Sequence, residues 1–567
     1  MHSMLHYLAG TGIRLRMRRQ ARRFLEQLND PRTVQQTVLH DLLALNADSD
    51  FARKHGFRDI RTVDDFRRRL PVADYDAFQP YIERVKQGET GALLGSRNRL
   101  LMFALTSGTT GASKFLPITR RFLDDYRRGW KIWSIRAFDD HPRLFRLNIV
   151  QLSSDHDQFR TAGGHPCGNI SGLVSAMQLR FVQGMYSVPG IVARIRSPEA
   201  KYYTAMRLAV ADPWVGLVMT ANPSTLIHLA KLADAHREEL IRDIANGTLS
   251  TRFEVDQGVR QMLRRRLRRN PARARVLEQI VEATGRLYPR DCWLAMTLLA
   301  VWTGGSAGAY VRGTRTWFGD VPIRDHGLSA SEGRMTIPLA DSRPDGVLDI
   351  ASHFFEFIPE GEYGSASPCV LEAHELEEGK NYYILLTTSA GLCRYDVHDV
   401  VRCTGFLQRT PLLEFLNKGS QISSITGEKI SESQVVAAVG AAVAALDLHL
   451  SNFTVAPAWG DPPGYRLLVE SAEIPSLEAG ERLAARADAA LQSQNMEYGE
   501  KRRTGRLAAL ETSLIPPGSW GRFARQRQAR LGGSVEQYKH PCLVPDLAFC
   551  DQFIGECEQH AGQSASA

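Results

Sequence analysis

Short apolar runs that end in turn residues and give way to helical stripes constrain this chain most. "DPWVGLVMTANPSTLIHLAKLA" reads as a strand, a loop, and a helix capped by Ser224 or Thr225. "CWLAMTLLAVWTGGS" is another apolar run, and it ends in glycines. "RLLMFAL" and "KFLPIT" are strand-like and enclose "TSGTTGAS", after which Thr119 can cap a helix carrying Phe122, Tyr126, Trp130 and Trp133 on one stripe. Upstream, Asp30 and Pro31 start a helix whose Val34, Val38 and Leu42 share a face. Strands alternating with helices predict an α/β sheet domain.

The pattern changes near Lys418. Hairpin-like strands precede it ("YYILLTTSAGLCRYDVHDVVRCTGF", "LLEFLN"), and a helix, two strands and a helix follow. We place a boundary at Asn417–Gly419. It separates a large N-terminal α/β domain, 1–417, from a small α+β domain, 418–567, whose tail "EQHAGQSASA" is expected to fray. A chain of 567 residues is too long for one core, so two domains are consistent with size.

Composition excludes several classes. No apolar run approaches the ~20 residues of a membrane span, so no membrane partner is expected. Net charge is +8 and pI about 9.1, with arginines clustered at Arg14–Arg23 and Leu263–Arg275. No aromatic platform or nucleic-acid motif accompanies them, so solvated helix faces are favoured and a nucleic-acid partner is disfavoured. The eight cysteines show no C-x-x-C and no paired zinc spacing, which suggests reduced, mostly buried thiols and a cytoplasmic location. His156 with Asp157, and His165 with Cys167, lack the ligand count of a metal site. A monomer is expected.

The chemistry starts in "LTSGTTGASKFLPIT" (Leu105–Thr119). Glycines let backbone N–H groups converge on an anion, hydroxyls add donors, and Lys114 adds a mobile charge. Ser107, Gly108, Thr109, Thr110 and Lys114 therefore suit a polyphosphate, although the G-x-x-x-x-G-K-[ST] spacing is absent. An ordinary glycine turn is the alternative. "SASEG" places Glu332 after small residues, where a carboxylate could serve Mg²⁺ or merely occupy a surface turn. "RYDVHDV" sets Asp399 at the end of a hairpin segment, as a ribose acceptor or a strand-end residue. Lys429 in "TGEKIS" and Lys539 in "EQYKHP" lie beyond the boundary.

Taken in order, Thr106–Lys114, Ser331–Gly333, Tyr395–Asp399, Lys429 and Gln537–Pro541 resemble the motifs of the auxin-responsive (Gretchen Hagen) family of acyl acid amido synthetases, a branch of the acyl-adenylate-forming superfamily. "VWTGGS" and "GRLAALETSLIPPGSW" resemble two further segments, and the likeness spans about Leu25 to Val544. The resemblance implies a ligase that adenylates a small carboxylic acid with ATP and Mg²⁺, releases pyrophosphate, and passes the acyl group to an amine, expected to be an amino acid. It implies that Ser107, Gly108, Thr109, Thr110 and Lys114 hold phosphates and that Glu332 holds Mg²⁺. Thr303, Ser331 and Asp399 would fix adenylate and ribose. Lys429, with Lys539 as second candidate, would neutralise the α-phosphate after the small domain swings about Lys418. Against the family pattern, Leu328 stands at an aromatic position, Asp396 replaces an arginine and His398 replaces a glycine. His398 could replace the glycine only sterically, face the ribose or take a proton from the amine. A thioester-forming acyl-CoA ligase and a basic nucleic-acid binder with a vestigial nucleotide fold remain as alternatives.

Overall fold

The computed structural model describes residues 11–565 except 107–113, 179, 305–306, 366, 420–421, 449 and 532–539. The chain is a mixed α/β protein, and its described residues divide into two compact units, one running to Asn417 and the other starting at Lys418. No helix among the described residues is long and apolar enough to cross a membrane.

Three sheets build the first unit. Asn148–Gln151, Val215–Met219, Leu298–Val301 and Ile323–Asp325 lie side by side, all parallel. The middle two, Val215–Met219 and Leu298–Val301, are buried along their whole length. The expected alternation is therefore a parallel sheet, and continuous apolar runs are what two covered faces require. The helix after Val215–Met219 begins at Pro223, one residue before the expected caps. Proline at a first helical position moves the cap to Asn222.

The second sheet has seven strands in the order Leu371–Glu372, Phe354–Pro359, Asn381–Thr387, Tyr395–Leu407, Thr410–Lys418, Asp345–Leu348 and Thr336–Ile337. Phe354, Phe355, Phe357, Ile384 and Leu386 belong to its buried core. In the third, Leu100–Thr106 pairs antiparallel with Lys114–Thr119, so the glycine loop joins two strands as expected. The Thr119 hydroxyl accepts from Phe122 N, at 3.2 Å, to start the helix Arg120–Asp140. Asp30 caps Pro31–Asn46 in the same way. The basic helix Thr11–Gln27 sends Arg18 to Asp139, at 2.7 Å. In the second arginine cluster Arg264, Arg265, Arg266, Arg268, Arg269 and Arg275 are exposed. Arg273 instead turns inward and donates to the carbonyls of Val210 and Cys292.

In the second unit, Phe453–Ala458, Gly464–Glu470 and Glu511–Ile515 form a three-stranded sheet, with the last strand parallel to its neighbour. Helices Glu432–Ala445 and Leu477–Gln494 are those the pattern predicts. The tail differs from expectation: the helix Phe549–Ala565 extends into it. Phe549, Phe553 and Cys557 recur every fourth residue, and Phe553 stacks on Trp520 with centroids 5.0 Å apart. That anchor holds the helix from which the tail continues.

Candidate active site

The four parallel strands end together, with Gln151 opposite Met219, Met219 opposite Ala300 and Val301 opposite Asp325. Carboxyl ends of such strands are where open α/β sheets present ligand-binding residues. Thr303 follows one of these ends, and "SASEG" follows another.

The two are bolted together. Thr303 donates from its backbone N and its hydroxyl to one oxygen of Asp325, both at 2.6 Å, and Gly327 N donates to the other at 2.6 Å. Trp302 Nε1 donates to the Gly327 carbonyl, at 3.0 Å. Burial pushes the Asp325 carboxyl up to about 6 while the Thr303 and Gly327 donors pull it back. The Thr303 hydroxyl proton is thus committed to Asp325, leaving that oxygen only its lone pairs.

From Gly327 the chain enters the turn carrying Ser331 and Glu332. Ala330 and Gly333 exchange backbone hydrogen bonds of 2.8 and 3.3 Å. Glycine is needed at 333 because a Cβ there would lie 2.6 Å from His353 Nε2. Glu332 and Ser331 are half-buried. Glu332 is close enough to Tyr395 that, after burial, its charge is the next cause holding the Tyr395 phenol well above the usual range.

Tyr395 opens the strand that carries Asp399. Asp399 is not at a strand end, as expected, but inside Tyr395–Leu407 and 2 % exposed. Pairing with Asn381–Thr387 is what makes the difference: Tyr383 faces Val400 and Leu385 faces Asp396, so the segment Val397–Asp399 bulges opposite Ile384. Bulges re-aim side chains and favour functional rims. The strand's entry is fixed by Arg394, which donates to Glu356 (2.9 Å) and to the Leu70 carbonyl (2.7 Å). Arg67 holds the other oxygen of Glu356, at 2.9 Å.

At the loop's far end, the Phe115 N–H donates to the Tyr75 hydroxyl at 2.9 Å, and Lys114 Nζ lies 5.3 Å from the Tyr75 ring centroid. Tyr75 also influences Tyr395. The structure therefore gathers Lys114, Tyr75, Tyr395 and Glu332 in one neighbourhood. Ser331 precedes Glu332 in the segment after Asp325, to which Thr303 is bonded, and Asp399 lies on the strand that Tyr395 opens. Ser107, Gly108, Thr109, Thr110 and Lys539 lie outside the described residues.

Lys429 belongs to the second unit, in the turn between the paired strands Ile422–Ser423 and Ile430–Ser431. Its φ is +48°. Fully buried Glu428 closes that turn, accepting from Ile425 N, Thr426 N and Thr426 Oγ1 at 2.7 Å each, and from the Tyr465 hydroxyl. Asn495 Nδ2 donates to the carbonyls of Glu428 (2.9 Å) and Lys429 (3.2 Å). The backbone under Lys429 is pinned while its side chain is half-exposed.

Sequence reasoning missed Tyr75, Asp325 and Glu428. Asp325 had a signal, a carboxylate closing an apolar run just before "SASEG". Tyr75 had none, since its partner is forty residues away.

Comparison with known proteins bears on the family and the fold. The GH3 family N-terminal domain matches residues 20–323, the central domain 346–418 and the C-terminal domain 433–548. The chain is 25% identical over 555 residues to a probable indole-3-acetic acid-amido synthetase, GH3.1, of Arabidopsis thaliana, covering 92% of this chain and 91% of that one. It is 24% identical to the jasmonoyl–L-amino acid synthetase JAR6 of Nicotiana attenuata, covering 92% and 93%. The solved structure of the AtGH3.15 acyl acid amido synthetase in complex with 2,4-DB superposes with a TM-score of 0.65 at 20% identity, over 95% of each chain, and so shares the fold. With three domains of one family matched in order, on a fold shared with one of its amido synthetases, the chain belongs to the GH3 family.

Proposed function

We propose that the protein is an ATP-dependent acyl acid amido synthetase: it adenylates a small carboxylic acid, releases pyrophosphate, and transfers the acyl group to the amine of an amino acid with release of AMP. The observation that carries this reading is the packing of the turn that carries Glu332 against the strand pair that holds Tyr395: a Cβ on Gly333 would lie 3.1 Å from Leu386 Cδ2, and Leu386 pairs with Tyr395. Family membership and the amido synthetases among the relatives support it.

A carboxylate is a poor acyl donor because oxide is its leaving group. Attack on the α-phosphate of ATP replaces that oxide with AMP, and the amine then displaces AMP. Positioning and charge neutralisation do most of this work. In our reading Ser107, Gly108, Thr109, Thr110 and Lys114 hold the departing phosphates. Asp399 accepts the ribose hydroxyls, and Ser331 borders the adenylate. Thr303 acts through Asp325 by fixing the turn instead of donating to the nucleotide. Glu332 fits Mg²⁺, since it is a half-buried carboxylate, and that cation commonly takes one or two carboxylates together with substrate phosphates. When bound there, the ion supplies charge neutralisation to the phosphates. Residues 418–567 act as a mobile domain that turns about Lys418, and Lys429 or Lys539 then meets the α-phosphate and excludes water. The cysteines are free thiols, six of them buried, which suits the reducing cytoplasm.

The test is acid-dependent exchange of labelled pyrophosphate into ATP across a panel of carboxylic acids, followed by AMP release on adding amino acids or coenzyme A. Exchange with some acid, and AMP release with an amino acid, is the expected result. No exchange with any acid removes the adenylation reading. AMP release with coenzyme A alone makes the protein a thioester-forming ligase.

A further inference from the structure

We propose that Tyr363, Asp396 and His398 form a clasp that holds the Val397–Asp399 bulge in shape, and that they are positioning residues for the Asp399 carboxylate. The inference rests on the reading that Asp399 receives the ribose of ATP.

The bulge contains a residue in the wrong conformation for its type. His398 has φ +57°, in the left-handed region. Glycine occupies that region without penalty, and glycine stands here in the family pattern. An L-residue pays a steric penalty there, so something must hold His398 in place.

Three hydrogen bonds do so. The His398 N–H donates to Asp396 Oδ1, at 2.7 Å. The Tyr363 hydroxyl donates its single proton to Asp396 Oδ2, at 2.7 Å. The His398 Nδ1, also 2.7 Å from that hydroxyl, must then be the protonated nitrogen and donate to the phenol oxygen.

Tyr363 is itself immobilised. Its ring stacks on Tyr383 with centroids 3.5 Å apart and planes 9° apart, and Tyr383 is the residue paired with Val400 at the bulge's far edge. Burial, then the charge of Asp396, push the Tyr363 phenol far above its ordinary range, which keeps it a donor. The clasp therefore ties the bulge to the neighbouring strand through side chains. If it opens, His398 loses support for its left-handed backbone, and Asp399, one residue on, turns with it.

Backbone strain makes this testable in a way that a simple packing role is not. His398→Ala keeps an L-residue at the position but removes the ring. His398→Gly removes the ring and the strain together. Titrate each with ATP in MgCl₂ by calorimetry, beside Asp399→Ala and Tyr363→Phe, and record melting temperatures. We expect Asp399→Ala and His398→Ala each to weaken ATP binding about tenfold, the equivalent of ~1.4 kcal/mol, while His398→Gly weakens it markedly less. Tyr363→Phe keeps the stack and should also weaken binding, and the double variant Tyr363→Phe/His398→Gly should recover most of the loss. If Tyr363→Phe does not fold, the alanine–glycine contrast at 398 decides alone. Equal affinities for His398→Ala and His398→Gly, with Asp399→Ala impaired, overturn the clasp but leave the ribose assignment standing. Unchanged affinity in Asp399→Ala overturns the assignment, and the clasp's purpose with it.

Discussion

Glu332 sits in a turn closed by backbone hydrogen bonds between Ala330 and Gly333, so the turn's shape does not depend on the side chain's charge. Glu332→Gln should therefore leave the melting temperature nearly unchanged and abolish most pyrophosphate exchange. Full exchange at ordinary Mg²⁺ would take Glu332 out of the site. Against the same turn lies His353, 2 % exposed, whose imidazole burial holds down at about 3. A histidine depressed in the folded state binds its proton only after unfolding. Its contribution to stability is thus complete above the unfolded value near 6.5 and is lost as pH falls below it, down to about 3. Between pH 7 and 5 that amounts to about 2 kcal/mol. Buried Asp125 and Asp325, both raised to about 6, have the opposite sign: they lose stability as pH rises from about 4 to 6. The net slope mixes these, so the comparison must be between variants. Denaturant unfolding at pH 7 and pH 5 should show His353→Gln losing about 2 kcal/mol less than the parent over that interval. An identical pH loss would contradict a neutral buried His353.

Among the elements, the helix Arg120–Asp140 shows how propensity yields to packing. Gly129 stands in its middle, where alanine would favour the helix by about 0.5–1 kcal/mol. Yet a Cβ on Gly129 would lie 2.6 Å from Arg334 Cδ. Arg334 is fully buried, with its guanidinium 4.3 Å from the Trp130 ring centroid, and has no room to retreat. Overpacking of this kind costs about 1–3 kcal/mol, so Gly129→Ala should destabilise by about 1 kcal/mol net. A higher melting temperature for the variant would show that Arg334 shifts freely. Two further contacts reach Asp125 on this helix, from Arg121 at 2.9 Å and Arg128 at 3.0 Å. They gather charge around buried Asp125, which the helix's aromatic stripe alone would not suggest.

For the molecule as a whole, the consequential residue is Lys429. Glu428 and Asn495 fix its backbone within the second unit, so its side chain is presented from a rigid turn. If the turning of that unit completes the adenylation site, Lys429→Ala should slow pyrophosphate exchange by about 10²–10³, the scale of one preorganised electrostatic contact. Binding of preformed acyl-adenylate should suffer less. Lys539→Ala must be run beside it. A silent Lys429→Ala with an inactive Lys539→Ala assigns the role to the other lysine, and silence in both removes domain closure from the mechanism.

The sequence by itself determined what neighbouring residues settle among themselves. Asp30 and Thr119 cap their helices because a cap needs only the next three residues. The apolar runs became strands, and the order of five short motifs pointed to the family that the domain matches then showed. Tertiary structure alone decided which side chains meet. Asp399 looked like the end of a hairpin segment, and only pairing with Asn381–Thr387 made it a buried position inside a bulged strand. The resemblance assigned Thr303 to the adenylate, and only the fold revealed that its hydroxyl donates to Asp325, on the adjacent parallel strand. Arg394 is locked by Glu356 and Leu70, and His398 by Tyr363, partners dozens to hundreds of residues away. Local preferences act through the few bonds between adjacent residues, and they carry no record of what the fold will bring from a distance. Burial and hydrogen-bond partnership are properties of that distance, which is why the motifs could be read in one dimension and the site they build could not.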